Sequence, residues 1–510
     1  MENEEKVSGR FDALPDQMLR GIKRGIEKES LRARPDGALA MTPHPRALGS
    51  ALTHPHITTD FSESQLELIT GARTSVEEML QELAHIHQAV YAAIDGEILW
   101  GASMPCALPA DGEIPLGHYG TSNVGRAKTV YRMGLGYRYG RRMQTISGIH
   151  YNWSLPGTSS EEYFALVRNF RRNAWLLFYL FGASPAVCET FVQGNPRHGL
   201  QPLAPGTLYL PHATSLRMGR LGYQSDAQSK LAVSYNSLAQ YGASLYDALV
   251  TPYPPYEKIG LRDEKGEYRQ LSTALLQIEN EFYGKIRPKR TIRPGERPLH
   301  ALRDRGVEYV EVRLMDLDPF SPVGISAPVC RFLDVFLLHC LLTPSPPDSP
   351  AEIAAMNRNQ ERVAARGREP GLALRRGEAD VPMKEWGAEL VAQCVPVAER
   401  LDAAFGGAAY RDAIAAASGA LDDPELVPSA RVLHAMQRNH GGVYQRFVLA
   451  ESLLHRGALA GTPLPAELAA SYRQLARASL AEQRDIEASD RLDFETWRRD
   501  YLDPAKLDIQ

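Results

Sequence analysis

RGIEKESLR, residues 24–32, decides how the rest of the chain is read. Glu27 and Glu29 stand at i and i+2, so an extended backbone sends both carboxylates to one face. The same period of two recurs along the chain. SESQLELIT (62–70) aligns Glu63, Gln65 and Glu67, and GIHYNWSL (148–155) aligns His150, Asn152 and Ser154 against Ile149, Tyr151 and Trp153. LLQIENEFY (275–283) aligns Gln277, Glu279, Glu281 and Tyr283 if it is extended. GVEYVEVR (306–313) puts Tyr309, Glu311 and Arg313 opposite Glu308, Val310 and Val312.

Taken singly, each segment reads as the wet side of a half-exposed antiparallel strand. Together, five such faces carry carboxylates with one imidazole and one guanidinium among them. A solvated face would mix in Lys, Thr and Ser, and so many carboxylates on one sheet repel each other unless cations neutralise them. Hard divalent cations with oxygen ligands supply that charge, Mg²⁺ most naturally and Mn²⁺ as an alternative. Carboxylate-built Mg²⁺ sites usually hold substrate phosphates as well. IRPKR (286–290) and Arg293 follow the acidic stretch and offer phosphate partners, and Arg313 is placed to stabilise a transferring phosphoryl group. The residues thus point to a Mg²⁺-dependent, nucleotide-using enzyme.

Composition narrows the field. The 510 residues are 44% hydrophobic and 23% charged, ordinary values for a folded chain. A net charge of −4 argues against a protein that lives on nucleic-acid phosphates or anionic lipid. Five cysteines without a CxxC pair fit a reducing cytoplasm. The acidic start MENEEKVSGR has no signal-peptide core, and the greasiest run, Ala174 to Ala183, is too short to span a bilayer and reads as a buried helix. No P-loop, HExxH helix or GxSxG elbow is present; Gly134, Gly136 and Gly140 have the wrong spacing for a dinucleotide turn and read as a loop. Strand-like runs occupy roughly residues 20–325 within a sheet-containing body of 20–340, whereas Ala-, Leu- and Arg-rich helical periodicity dominates 351–510, beyond the Pro-rich loop TPSPPDSP (343–350). The expected fold class is α+β, with one large domain and a mostly helical C-terminal part packed on the body.

In order along the chain, RGIEKESLR, GSALTHPHITTDFSESQLELIT, SMPC, YGTSNVGRAKTVYRMGL, RYGRRMQTISGIHYNWSLP, YLFGASPAVC, ATSLRMGRLGY, LQIENEFYGKIRPKR and EYVEVRLMDLDPFSPVG resemble signature blocks of the γ-proteobacterial glutamate–cysteine ligases (γ-glutamylcysteine synthetases). They run from Arg24 to Gly324; GREPGL and SARVL match more weakly further on, and the stretch after Pro156 is shorter than in some relatives. The resemblance implies a curved antiparallel sheet forming a funnel, related to the glutamine synthetase catalytic fold, with helices outside. It implies ATP-dependent joining of the γ-carboxylate of L-glutamate to the amine of L-cysteine through γ-glutamyl phosphate. It implies two or three Mg²⁺ ions, a monomer, and glutathione as a feedback inhibitor.

The same resemblance assigns residues. Metal ligands fall on Glu27, Glu29, Asp60, Glu67, His150 and Glu311, and the phosphate-stabilising arginine on Arg313. Arg217 matches the binder of substrate glutamate, with Arg132 as a second candidate. The cysteine pocket draws on Phe61, Tyr131, Leu135, Gln144, Tyr223 and Tyr283, and Glu279 and Lys289 are candidates for nucleotide contact. Two other readings share these features: a carboxylate–amine ligase with a different acceptor, such as ammonia, and a non-catalytic Mg²⁺–nucleotide-binding regulator. Retention of Glu27, Glu67 and Arg313 speaks against the regulator.

Overall fold

The structure is a computed structural model that describes residues 14–222, 226–229, 231–293 and 295–507. The opening MENEEKVSGR and Tyr223 lie outside them.

RGIEKESLR lies within β1 (Lys23–Ala33), the central strand of a seven-stranded sheet. Its neighbours are β3 (Gln65–Ile69), β4 (Ile98–Leu99) and β5 (Ile149–Ser154), and β2 (Ile57–Thr59) pairs with β3. A small separate sheet holds β6 (Ala186–Cys188), β7 (Gln201–Ala204) and β8 (Thr207–Tyr209). The main sheet is completed by β9 (Ile286–Lys289) and β10 (Tyr309–Met315), and β11 (Ala373–Arg376) pairs with β12 (Ala379–Pro382) in a hairpin. The main order is β2-β3-β1-β5-β10-β9, with β4 on the far end of β1, and every pairing is antiparallel.

The longer helices are α1 (Val76–Tyr91), α2 (Asn123–Tyr139), α3 (Ser160–Asn173), α4 (Trp175–Phe181), α5 (Ala327–Leu342) and α6 (Pro350–Arg366). The C-terminal part adds α7 (Met383–Phe405), α8 (Ala409–Asp422), α9 (Pro428–Asn439), α10 (Tyr444–Ala460), α11 (Ala466–Ser489) and α12 (Phe494–Tyr501). None of the described helices is long and apolar enough to cross a membrane.

Alternation separates the two sides of the sheet. Ile26, Tyr151, Trp153, Val310 and Val312 point into a core shared with α1, α3, α4, α5 and the C-terminal helices α7 and α8. The greasy run at 174–183 is helix α4, buried in that core. One buried ion pair fastens β1 to the helices behind it: Arg24 Nε donates to Asp334 Oδ2 at 2.7 Å, and Tyr151 Oη donates to Asp334 Oδ1 at 2.9 Å. Arg24 also donates to Tyr410 Oη on α8 at 3.2 Å, so the C-terminal part is tied to the central strand.

Two readings of the sequence need correction. Residues 275–283 form no strand; Glu279–Glu281 is a single 3₁₀ turn. Arginines pull its two glutamates apart, since Glu281 is held by Arg138 and Tyr139 at 2.9 and 2.7 Å and Glu279 by Arg297 at 2.7 Å. Gly134 and Gly136 lie inside α2 rather than in a loop. Gly134 is needed for close approach, because a Cβ there would collide with the side chain of Gln277. Cys106 and Cys188 are joined in a disulfide that ties an irregular segment to β6, and Cys330, Cys340 and Cys394 are buried and free.

Lys28 is the odd residue on the core side of β1. It is 3% exposed, and its Nζ sits 2.7 Å from His87 Nε2. Burial pulls the ammonium down to about 7. Between that value and the ordinary lysine value the unfolded chain holds a proton that the folded chain has lost, so folding gains stability as pH rises and loses it as pH falls through 7. The unfolding free energy of wild type should therefore improve relative to Lys28→Met by about 1.4 kcal/mol per pH unit across alkaline pH. Denaturant titrations of both proteins at a series of alkaline pH values measure it; a gap that does not change with pH contradicts it.

Candidate active site

Strand register builds the site. In an antiparallel ladder, residues directly opposite share a face. β1 pairs Glu29 with Glu67 and Glu27 with His150, while β5 sets Asn152 opposite Glu311 and β9 sets Arg287 opposite Glu311. Arg313, two residues beyond Glu311 on β10, completes the row. One face of the sheet thus collects the residues that alternation in four separate segments of sequence had marked.

Side chains converge around His150. Its Nδ1 lies 3.2 Å from Glu27 Oε2 and 3.7 Å from Glu311 Oε1, and its Nε2 is 3.5 Å from Glu29 Oε1. Glu27, His150 and Glu311 each present a ligand atom within 4.8 Å of the others, the spacing of a shared cation. Two buried acceptors beside them, Glu311 Oε2 and Asn152 Oδ1, have no hydrogen-bond donor. Asn152 Nδ2 meanwhile donates to Glu27 Oε1 at 2.9 Å. A buried carboxylate oxygen without a donor is costly unless something positive satisfies it. An oxygen-rich set with one imidazole fits a hard divalent cation, Mg²⁺ or Mn²⁺.

Charge is unevenly shared across this face. Burial pushes the Glu29 carboxyl up to about 8, helped by the neighbouring charge of Asp60. Glu67 is also raised well above the ordinary range, by burial and then by Glu27, Asp60 and Glu29. Glu311 goes the other way. Burial opposes its ionisation, but Lys289, Arg313, His150 and Arg287 together hold it well below the ordinary carboxylate value. The sheet face therefore has an acidic end at Glu29, Asp60 and Glu67, and a cation-flanked end at Glu311.

The cations are precisely tethered by geometry at that second end: Arg313 Nη1 lies 3.1 Å from Glu311 Oε1 and 3.5 Å from His150 Nδ1, and Lys289 Nζ reaches Glu311 Oε1 at 3.4 Å. Arg217 is buried beside them, donating to the Arg313 carbonyl at 3.0 Å with Asp316 at 3.7 Å. Arg132 donates to the Asp60 carbonyl and lies over the Tyr119 ring, 4.4 Å from its centroid. Nearby, α2 carries Tyr131 and Leu135 one turn apart, and Phe61 faces the same helix at Gly136. Gln144 Nε2 donates to Tyr283 Oη at 2.8 Å. Glu279 stands apart, with its carboxylate locked by Arg297.

Sequence reasoning marked Arg287 only as part of the IRPKR run of phosphate candidates, and did not single out Asp316. Arg287 faces the site through its register with Glu311 and is anchored by the carbonyls of Asn280, at 2.9 Å, and Phe282. The alternation of Arg287 and Lys289 around Pro288 was its only local signal. Asp316 follows the irregular end of β10, where alternation no longer reports direction. It accepts from Ser215 Oγ at 3.0 Å and the Ala183 amide at 2.8 Å, and so braces the segment that carries Arg217.

An open antiparallel sheet that gathers carboxylates, an imidazole and guanidinium groups on one face defines a class of site in which a divalent cation and a phosphate can meet. The sequence profile described as glutamate-cysteine ligase matches residues 11–159 and 157–363, and the chain belongs to the glutamate–cysteine ligase family. A glutamate–cysteine ligase of Pseudomonas entomophila is 50% identical over 496 residues, covering 94% of this chain and 93% of that protein. One from Azotobacter vinelandii is 48% identical over 505 residues, covering 95% of each. Among solved structures, the glutamate–cysteine ligase of Francisella tularensis in complex with AMP superposes with a TM-score of 0.90 at 36% identity, covering 95% of this chain and 98% of that one.

Proposed function

We propose that this chain joins the γ-carboxylate of L-glutamate to the amine of L-cysteine with consumption of ATP, giving γ-glutamylcysteine, ADP and phosphate, the first step of glutathione synthesis. The observation that carries this reading is the convergence of Glu27, His150 and Glu311 to ligand distance, with Arg313 against Glu311 and a buried Glu311 oxygen left without a donor.

A free carboxylate is a poor acyl donor, so the γ-carboxylate must first take the terminal phosphoryl group of ATP. Glu27, Glu29, Asp60, Glu67, His150 and Glu311 would hold two or three Mg²⁺ ions. When bound, these offset the charge of the ATP phosphates and orient them. Arg313 stabilises the charge on the transferring phosphoryl group, and Arg287 and Lys289 keep that end of the sheet positive. Arg217, braced by Asp316, receives a carboxylate of glutamate, and Arg132 lies at the acidic end near Asp60. Phe61, Tyr131, Leu135, Gln144 and Tyr283 shape a tight pocket for the small acceptor, whose amine displaces phosphate from the acyl carbon.

The sheet serves as the floor of a funnel of the glutamine synthetase kind, and residues 20–340 and 351–510 work as one catalytic unit. The ion pair between Arg24 on β1 and Asp334, shared with Tyr410 of the C-terminal part, supports that unity. The enzyme acts as a monomer in the cytoplasm, where ATP is supplied, and glutathione, which contains the product, inhibits it.

Phosphate release with ATP, Mg²⁺ and glutamate tests the acceptor. Cysteine and 2-aminobutyrate should both support turnover, because the amine is the nucleophile and the side chains are similar in size; ammonia should not. Strict dependence on the thiol, or equal rates with ammonia, contradicts the assignment.

A further inference from the structure

The reaction face occupies one side of the sheet; a cavity of about 1110 Å³ opens behind the helices that cover the other side, between α3, the end of α5, α6 and α7. None of the residues assigned to the reaction lines it. Its wall is apolar where Met356, Leu390 and Trp386 face it, and Arg376 lies over the Trp386 ring at 5.3 Å from the centroid.

The rim is positive. Arg172, Arg358, Arg375 and Arg376 meet only Glu352 and Glu389 in the lining. Arg172 is bound to Glu352 at 2.7 Å and Arg376 to Glu389 at 2.5 Å, which leaves the surplus charge at Arg358 and Arg375. Arg375 has Asp380 no nearer than 3.9 Å.

We propose that this cavity is a second ligand site, separate from the reaction centre, for a planar aromatic molecule bearing an anionic group. The ring lies against the apolar wall at Met356, Leu390 and the edge of Trp386, and the anion sits at Arg358 and Arg375. Cavities of this size with an apolar wall and a few convergent polar groups are the usual form of small-molecule sites.

The test uses the full chain and anilinonaphthalene sulfonate, whose fused ring and sulfonate carry the two features. Fluorescence should rise saturably with one probe per chain. Ala355→Trp, which fills the cavity, should weaken binding by about tenfold or more, and Arg358→Glu, which reverses the rim charge without touching the core, by about threefold or more. Both variants should keep wild-type ligase activity, and Arg313→Ala should bind the probe as wild type does. Absence of saturable binding, wild-type affinity in either cavity variant, or loss of binding in Arg313→Ala would overturn the proposal.

Discussion

Arg313→Ala should lower kcat by about a hundredfold, a loss near 3 kcal/mol of transition-state stabilisation, while KM for glutamate and for cysteine changes far less. The guanidinium sits 3.1 Å from Glu311 and within 3.5 Å of His150, at the cation-flanked end of the carboxylate row. From there it faces charge that builds up only as the phosphoryl group leaves ATP, and an interaction made chiefly in the transition state appears in kcat. Arg313→Lys keeps the charge and loses the planar fork, so it should also be impaired. Steady-state kinetics with each substrate varied in turn measure both variants. A raised KM for cysteine alone, with kcat near wild type, would make Arg313 an acceptor-binding residue instead.

Glu311→Gln should cost more. The substitution keeps the shape of the side chain, removes one charge from the cluster with Glu27 and His150, and leaves Lys289 and Arg313 without their common partner. The Mg²⁺ concentration for half-maximal rate should rise by about a hundredfold or more, with turnover falling in parallel. Some folding stability should be lost as well, because the cations that hold Glu311 well below the ordinary carboxylate value lose its charge, so the melt separates this loss from the change in Mg²⁺ requirement. Mg²⁺ titrations of the rate, with a circular dichroism melt as a control for folding, decide the matter. An unchanged Mg²⁺ requirement would remove Glu311 from the ligand set.

Much of this site was legible because strands report direction locally. Glu27, Glu29, His150, Glu311 and Arg313 each announced their face through alternation with residues that proved to be core, such as Tyr151, Trp153, Val310 and Val312. Pairing then brought the faces together. Alternation failed where distant residues captured the side chains. Glu279 and Glu281 look like one strand face in sequence, yet Arg297 and Arg138 draw them in different directions. Gly134 and Gly136 looked like loop residues because nothing nearby in sequence shows that Gln277 packs against α2. Arg287 was marked only as one of the IRPKR cations for a related reason: its partner Glu311 is set by register, a property of two strands and of neither alone. The Cys106–Cys188 bond closes 82 residues of chain, beyond the reach of any spacing rule.

The most direct test of activation through an acyl phosphate follows the oxygens. Glutamate labelled with ¹⁸O in its γ-carboxylate is incubated with ATP, Mg²⁺, cysteine and the enzyme, and the inorganic phosphate released is analysed by mass. Transfer of one labelled oxygen to phosphate for every γ-glutamylcysteine formed is the expected result. Phosphate free of label would contradict it.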